Sequence, residues 1–169
     1  MRTRRHVNLR RMEGATLIEA LSAVFVLSIG LLGLAGMQAN SLRFNHTAMM
    51  RSIAVQQAYN LADRMRANPN GVFASAYNNP AETEVADCFT LTGCTPAQMA
   101  TTDFAVWMQA NRSLLPGGGG SVCIDSNPND GTGCDGISTV NPYSHVVTVS
   151  WSEYGEAKSF SFPVRISTE

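Results

Sequence analysis

Charge is scarce in this chain of 169 residues: only 15% of them are Asp, Glu, Lys or Arg, while 44% are hydrophobic. About 25% charged is usual for a globular chain, so a segment lacking charge is expected. Proline is missing until Pro69, which leaves the first third of the sequence free of the strongest helix breaker. The four cysteines all fall in the second half, and no Cys-x-x-Cys spacing occurs, which argues against a structural zinc site. Histidine is limited to His6, His46 and His145, and no Gly-x-Ser-x-Gly elbow appears. The basic residues do not concentrate in a patch with aromatics, so direct nucleic-acid binding is not expected. The net charge of -1 conceals an asymmetry. Arg2, Arg4, Arg5, Arg10 and Arg11 sit with one acid, Glu13, in the first fourteen residues.

From Ala15 to Met37 the chain reads ATLIEALSAVFVLSIGLLGLAGM, with Glu19 as its one charge, and the 18 residues from Ala20 to Met37 carry none. That is long enough for a membrane span. Arginines before the run and none comparable after it place the amino terminus in the cytoplasm and the remainder outside. Three readings follow: a secretory signal cut near Leu34-Ala35-Gly36, a plain anchor, or a span whose carboxylate has a function. A carboxylate within a span costs about 2.5–3.5 kcal/mol at the bilayer centre and less near the interface, and is a functional candidate by default.

Arginines followed by Gly14-Ala15-Thr16-Leu17-Ile18-Glu19 give a basic leader ending in glycine and a glutamate at the fifth position after it. In this the sequence resembles the type IV prepilin family, with Ala15 where that family usually carries Phe. The resemblance implies cleavage between Gly14 and Ala15 by a prepilin peptidase, methylation of the new Ala15 amine, and a role for Glu19 in assembly. Cutting there removes the arginines and keeps the apolar run, the reverse of signal-peptidase cleavage. It also creates an ammonium four residues before Glu19, on the same helix face. The runs SIGLLGLAGMQ and NLADRMRANP resemble the PilV-type minor pilins, also called type IV pilus modification proteins.

Beyond Met37 the pattern turns amphipathic. Ala54, Ala58, Leu61 and Met65 share a helix face, with Arg51, Gln57, Asp63 and Arg64 interleaved. Asn68-Pro69-Asn70-Gly71 is the expected stop. A helix from about Thr16 to Ala67 is predicted, as the resemblance also implies. Gly30, Gly33 and Gly36 within it suit close packing of helices or local unwinding in a filament. The expected organisation is a leader at 1–14, a transmembrane or filament-core helix at 15–38, its amphipathic half at 39–67, and an exported α+β unit at 68–169.

Residues 68–95 read as loop. Thr95-Pro96-Ala97-Gln98 is a capping-box start, predicting a helix to about Leu114 with Ala100, Phe104, Trp107, Asn111 and Leu114 on one face. The glycines at 117–120 read as a flexible connector; without a following Lys-Ser/Thr they are not a phosphate loop. A short strand at Ser121–Ile124, a longer one placing Tyr143, His145, Val147, Val149 and Trp151 on one face, a turn at 152–156, and a strand carrying Phe160, Phe162, Val164 and Ile166 follow. Pro163 puts the last strand at an edge or a bulge. The fold class is α+β and pilin-like: a long amino-terminal helix packed on a small antiparallel sheet, with one further helix. The helix, LPGG turn and VTVSW strand also resemble the PilV-type order.

Four cysteines allow three pairings. Cys88 with Cys94 and Cys123 with Cys134 is the expected one, because each pair brackets a turn-rich loop. The second loop has Asp125, Asn127 and Asn129 spaced like a calcium loop. Its glycine, Gly131, comes one residue late and Gly136 stands where the twelfth-position glutamate belongs, so a solvated turn is the reading. No cofactor, metal or catalytic role is expected. By resemblance the partners are the prepilin peptidase, other minor pilins, the major pilin and a tip adhesin. The location is the inner membrane, single-pass with the carboxyl-terminal part periplasmic, and then the pilus. Pilus-dependent motility, adhesion or DNA uptake would lie downstream. A type II secretion pseudopilin is the alternative with the same amino terminus, and a membrane-anchored periplasmic enzyme is the alternative of another class.

Overall fold

The computed structural model describes residues 13–127, 134–136 and 143–166. Most of the expected leader, the centre of the calcium-like loop and the Asn141-Pro142 entry to the long strand lie outside the described residues. The chain forms two compact units that meet between Asn45 and His46. One helix, α1 (Glu13–Ala67), contributes to both. In the first unit the described residues are helical throughout.

The second unit is α+β. It contains the last turns of α1, a short helix α2 (Pro69–Phe73), a 3-10 turn (Ala86–Phe89), helix α3 (Pro96–Leu114), and strands β1 (Gly119–Ile124), β2 (Tyr143–Glu153) and β3 (Glu156–Ile166). The strands form one antiparallel sheet in the order β1-β2-β3. Every second residue of β2 faces the core: His145, Val147, Val149 and Trp151 are buried, as the alternation predicts. The cross-strand register sets Phe160 beside Val149 and Phe162 beside Val147. Against this face lies α1, whose Ala54, Ala58, Leu61 and Met65 are all fully buried, along with Ala62. Three alanines in that stripe leave room for large partners, and Trp107 from α3 fills it. Its indole Nε1 donates to the Gln57 carbonyl at 2.8 Å. Burying such an aromatic contributes roughly 1.5–3 kcal/mol over leaving it exposed.

The helix boundaries follow their chemistry. At the start of α3 the Thr95 hydroxyl accepts from the Gln98 amide at 3.3 Å and the Gln98 side chain accepts from the Thr95 amide at 2.9 Å. This is the capping box read from the sequence. At the other end the expected face is off by one residue: Leu114 is half exposed and Leu115, the cap, is buried.

Three expectations are corrected. The stretch 68–95 is not all loop, because Asn68 caps α2 with Pro69 in its first turn and a 3-10 turn follows. The turn after β2 shrinks to Tyr154-Gly155, both at positive φ, the two-residue form that suits a twisted hairpin. The glycine run is not a flexible connector. Gly119 and Gly120 are the first residues of β1, and the run is packed tightly. A Cβ on Gly118 would lie 2.0 Å from the Asn111 carbonyl oxygen, and one on Gly120 would lie 2.3 Å from the Trp107 ring. Glycine at 118 and 120 is present for close approach, while Gly117 takes a positive φ of 60°.

Both disulfides take the local pairing. Cys88 is bonded to Cys94, with Cα atoms 4.7 Å apart, and Cys123 to Cys134, at 5.8 Å. The second joins β1 to the residues that precede β2.

Candidate functional site

Among the described residues, the amino-terminal half of α1 is exposed along its length up to Asn45. Leu17, Ile18, Leu21, Val24, Phe25, Val26, Leu27, Leu31, Leu32 and Met37 are all more than half exposed. Among the described residues, one helix is long and apolar enough to cross a membrane, and its most apolar window is wholly unburied. Eighteen residues at a rise of about 1.5 Å per residue reach about 27 Å, close to the thickness of a bilayer's hydrocarbon core. Exposing this much contiguous apolar surface to water is unfavourable, so the segment needs lipid or protein around it.

Polar groups inside the segment are handled locally. The Ser22 hydroxyl donates to the Glu19 carbonyl at 2.8 Å and the Ser28 hydroxyl to the Val24 carbonyl at 2.7 Å. Such back-bonding satisfies a hydroxyl without any partner outside the helix. The Glu19 carboxylate is exposed and has no hydrogen-bond or ion-pair partner among the described residues. Gly14 and Ala15 fall in the first turn of α1, four or five positions before it. A Cβ added at Gly30, Gly33 or Gly36 meets nothing within 4 Å. No contact among the described residues therefore calls for those glycines.

The second unit holds polar clusters that sequence patterns do not reveal. Tyr77 is fully buried and its hydroxyl donates to Asp103 Oδ2 at 2.6 Å. Arg64 reaches the other oxygen, Oδ1, at 3.2 Å. The Asn68 amide bridges α1, α2 and α3, donating to the Tyr77 hydroxyl at 3.3 Å and to the Pro96 carbonyl at 2.8 Å. Burial and the bond to Asp103 push the Tyr77 hydroxyl well above its ordinary value of 10.0. The phenol therefore stays protonated and acts as a donor. Arg112 holds Glu82 in a two-pronged pair, with Nη2 to Oε2 at 2.7 Å, and lowers that carboxyl's pKa.

Two grooves flank the end of the sheet near the hairpin. Arg51, Val55, Trp151, Lys158, Ser159 and Phe160 line one of about 400 Å³. Thr47, Arg51, Glu153, Tyr154, Glu156 and Lys158 line its neighbour of about 310 Å³. The Thr47 hydroxyl donates to Glu153, and Lys158 pairs with Glu156 at 2.5 Å.

Of the histidines, His145 is fully buried on the core face of β2, and His46 lies 6.0 Å from the Tyr154 ring; His6 lies outside the described residues. Among the described residues no three His, Cys, Asp or Glu side chains group as a metal site would require. The described part of the calcium-like loop is occupied with its own bonds: Asp125 accepts from the Asn127 amide at 3.0 Å, and Asp135 accepts from the Ser126 amide at 3.1 Å and from its hydroxyl.

Comparison with known proteins gives one family. No curated protein and no solved structure matches the chain. A family model described as type IV pilin Tt1218 matches residues 36–105, from the end of the apolar segment through the first half of α3, and supports a type IV pilin family for this α+β chain with its long amino-terminal helix.

Proposed function

We propose that this chain is a type IV pilin subunit, made as a prepilin and built into a pilus through the apolar half of α1. The observation that carries the reading is an exposed apolar helix with one carboxylate, Glu19, near its start, in a chain whose following residues match a type IV pilin model. The leader arginines hold the amino terminus in the cytoplasm while α1 spans the inner membrane and the carboxyl-terminal unit is periplasmic. A prepilin peptidase cuts between Gly14 and Ala15 and methylates the Ala15 amine. The four-residue spacing then sets that amine and Glu19 on one helix face.

The energetics favour a two-stage use of Glu19. In the membrane it sits near the headgroups, where a charge costs little. In a filament core it enters apolar surroundings and needs a partner, which the ammonium of a neighbouring subunit supplies. Gly30, Gly33 and Gly36 serve contacts outside the chain, where small residues allow helices to approach. The SIGLLGLAGMQ and NLADRMRANP runs support the narrower reading of a PilV-type minor pilin. Its partners are other minor pilins, the major pilin and a tip adhesin. Its role is structural, in the tip or initiation complex, and motility, adhesion and DNA uptake depend on it indirectly.

The mass of the amino-terminal peptide from natural membranes and from sheared pili tests this. A peptide beginning at Ala15 and carrying one methyl group is expected in both. A first residue downstream of Met37, or leader arginines still attached in assembled pili, overturns the reading.

A further inference from the structure

The two edges of the sheet differ. The outer edge of β1 is occupied, since the Val122 carbonyl accepts from the Asn79 amide at 3.0 Å and the Ile124 amide donates to the Asn78 side chain at 3.0 Å. The outer edge of β3 has no such cover among the described residues. Which of its groups point outward follows from the hairpin. Glu153 and Glu156 flank a two-residue turn, so they exchange hydrogen bonds, and the alternation then repeats along the strand. Glu156, Lys158, Phe160, Phe162 and Val164 bond to β2, while Ala157, Ser159, Ser161, Pro163 and Arg165 turn their backbone outward. Pro163, which has no N–H to offer, falls on the outward set, as this parity requires.

Beside the uncovered stretch lies the groove of about 400 Å³ between β3 and α1. Val55 and Phe160 give it apolar walls. Two cationic side chains, Arg51 and Lys158, are among its lining residues. The Trp151 N–H is buried and has no acceptor among the described residues. Arg51 pairs with no acid among the described residues, whereas Lys158 has Glu156.

We propose that this groove and the β3 edge together bind an extended acidic peptide segment of a partner protein by strand addition. The peptide backbone pairs with the outward groups of Ala157, Ser159 and Ser161 as a fourth strand. Side chains on one face of that strand alternate into the groove. A carboxylate meets Arg51, and an apolar neighbour packs between Val55 and Phe160. The positive charge of Arg51 and Lys158 selects an acidic segment over a basic one. The site is independent of leader processing and of Glu19, so it stands or falls separately from the pilin reading.

The test uses the full chain in detergent micelles and a fluorescein-labelled octapeptide of alternating valine and glutamate, followed by fluorescence anisotropy. Binding at least tenfold tighter than that of the valine-lysine counterpart is expected, weakening as salt rises. Arg51→Glu, at an exposed and unpaired position, is expected to reduce binding at least tenfold with the thermal midpoint unchanged. Ser159→Pro removes an outward N–H only, as Pro163 already does, and is expected to abolish binding while the protein stays folded by circular dichroism. A peptide with N-methylated backbone amides is expected not to bind. Equal affinity for the acidic and basic peptides, no binding of either, or full binding to folded Ser159→Pro overturns the proposal.

Discussion

The buried Tyr77 hydroxyl donates to Asp103 at 2.6 Å, joining the segment after α2 to the middle of α3. Removing the hydroxyl in Tyr77→Phe leaves one oxygen of a nearly buried carboxylate without its donor, while Arg64 still holds the other. A loss of about 1–3 kcal/mol at neutral pH is expected, read from the urea midpoint. The pH dependence has a definite sign. The folded-state pKa is raised above the ordinary 10.0, so the contribution is complete below pH 10 and declines as pH rises beyond it. The wild-type protein is expected to lose stability above pH 10 more steeply than Tyr77→Phe does.

Gly120→Ala places a methyl group against the Trp107 ring and the Thr148 carbonyl, with contacts of 2.3 and 2.6 Å before any adjustment. Both neighbours are themselves fixed, Trp107 by its bond to Gln57 and Thr148 by its place in β2. A destabilisation of about 1–3 kcal/mol is expected from overpacking, visible as a lower thermal midpoint with changed tryptophan fluorescence. An unchanged midpoint would contradict this account of the glycine run.

Gly33→Ala is the opposite case. Nothing lies within 4 Å of the added carbon, and alanine favours a helix over glycine by about 1 kcal/mol. The melting of the His46–Glu169 unit is expected to stay the same. Incorporation into pili, measured by immunoblot of sheared filaments, is expected to fall, because the proposed assembly packs neighbouring helices on this small-residue face.

Glu82 and Arg112 tie the segment before the 3-10 turn to α3 through two exposed hydrogen bonds. The Glu82 carboxyl lies below its ordinary 4.5, so its contribution is present above pH 4.5 and is lost as pH falls through the lowered value. Glu82→Gln is expected to melt slightly below the wild type at neutral pH. The difference should vanish on acidification, and should shrink in high salt because the pair is open to solvent.

Glu19→Ala is expected to leave membrane insertion and leader cleavage intact and to reduce the chain's recovery in pili at least tenfold. Removing the charge makes the segment more apolar, so loss from the membrane fraction is not expected. Normal recovery in pili would mean that the carboxylate has no pairing role in assembly.

Local patterns carry a good part of this protein. The uncharged run after Glu19, the absence of proline before Pro69, the Ala54-Ala58-Leu61-Met65 stripe and the Thr95-Gln98 box each depend on residues within a turn or two of one another. Helix formation and capping are settled over the same distances. The β2 and β3 alternations are equally local, and so is the reading of Pro163 as an edge residue. Tertiary structure decided the rest. The glycine run reads as slack until Trp107 and Asn111 are brought against it. Asn68 looks like a helix breaker and becomes a bridge among three elements. Tyr77 finds Asp103 26 positions away, and Thr47 finds Glu153 106 positions away. Which edge of the sheet is covered depends on where the loop carrying Asn78 and Asn79 returns. No sequence period records contacts at such separations, because they exist only once the packed elements have fixed one another's positions.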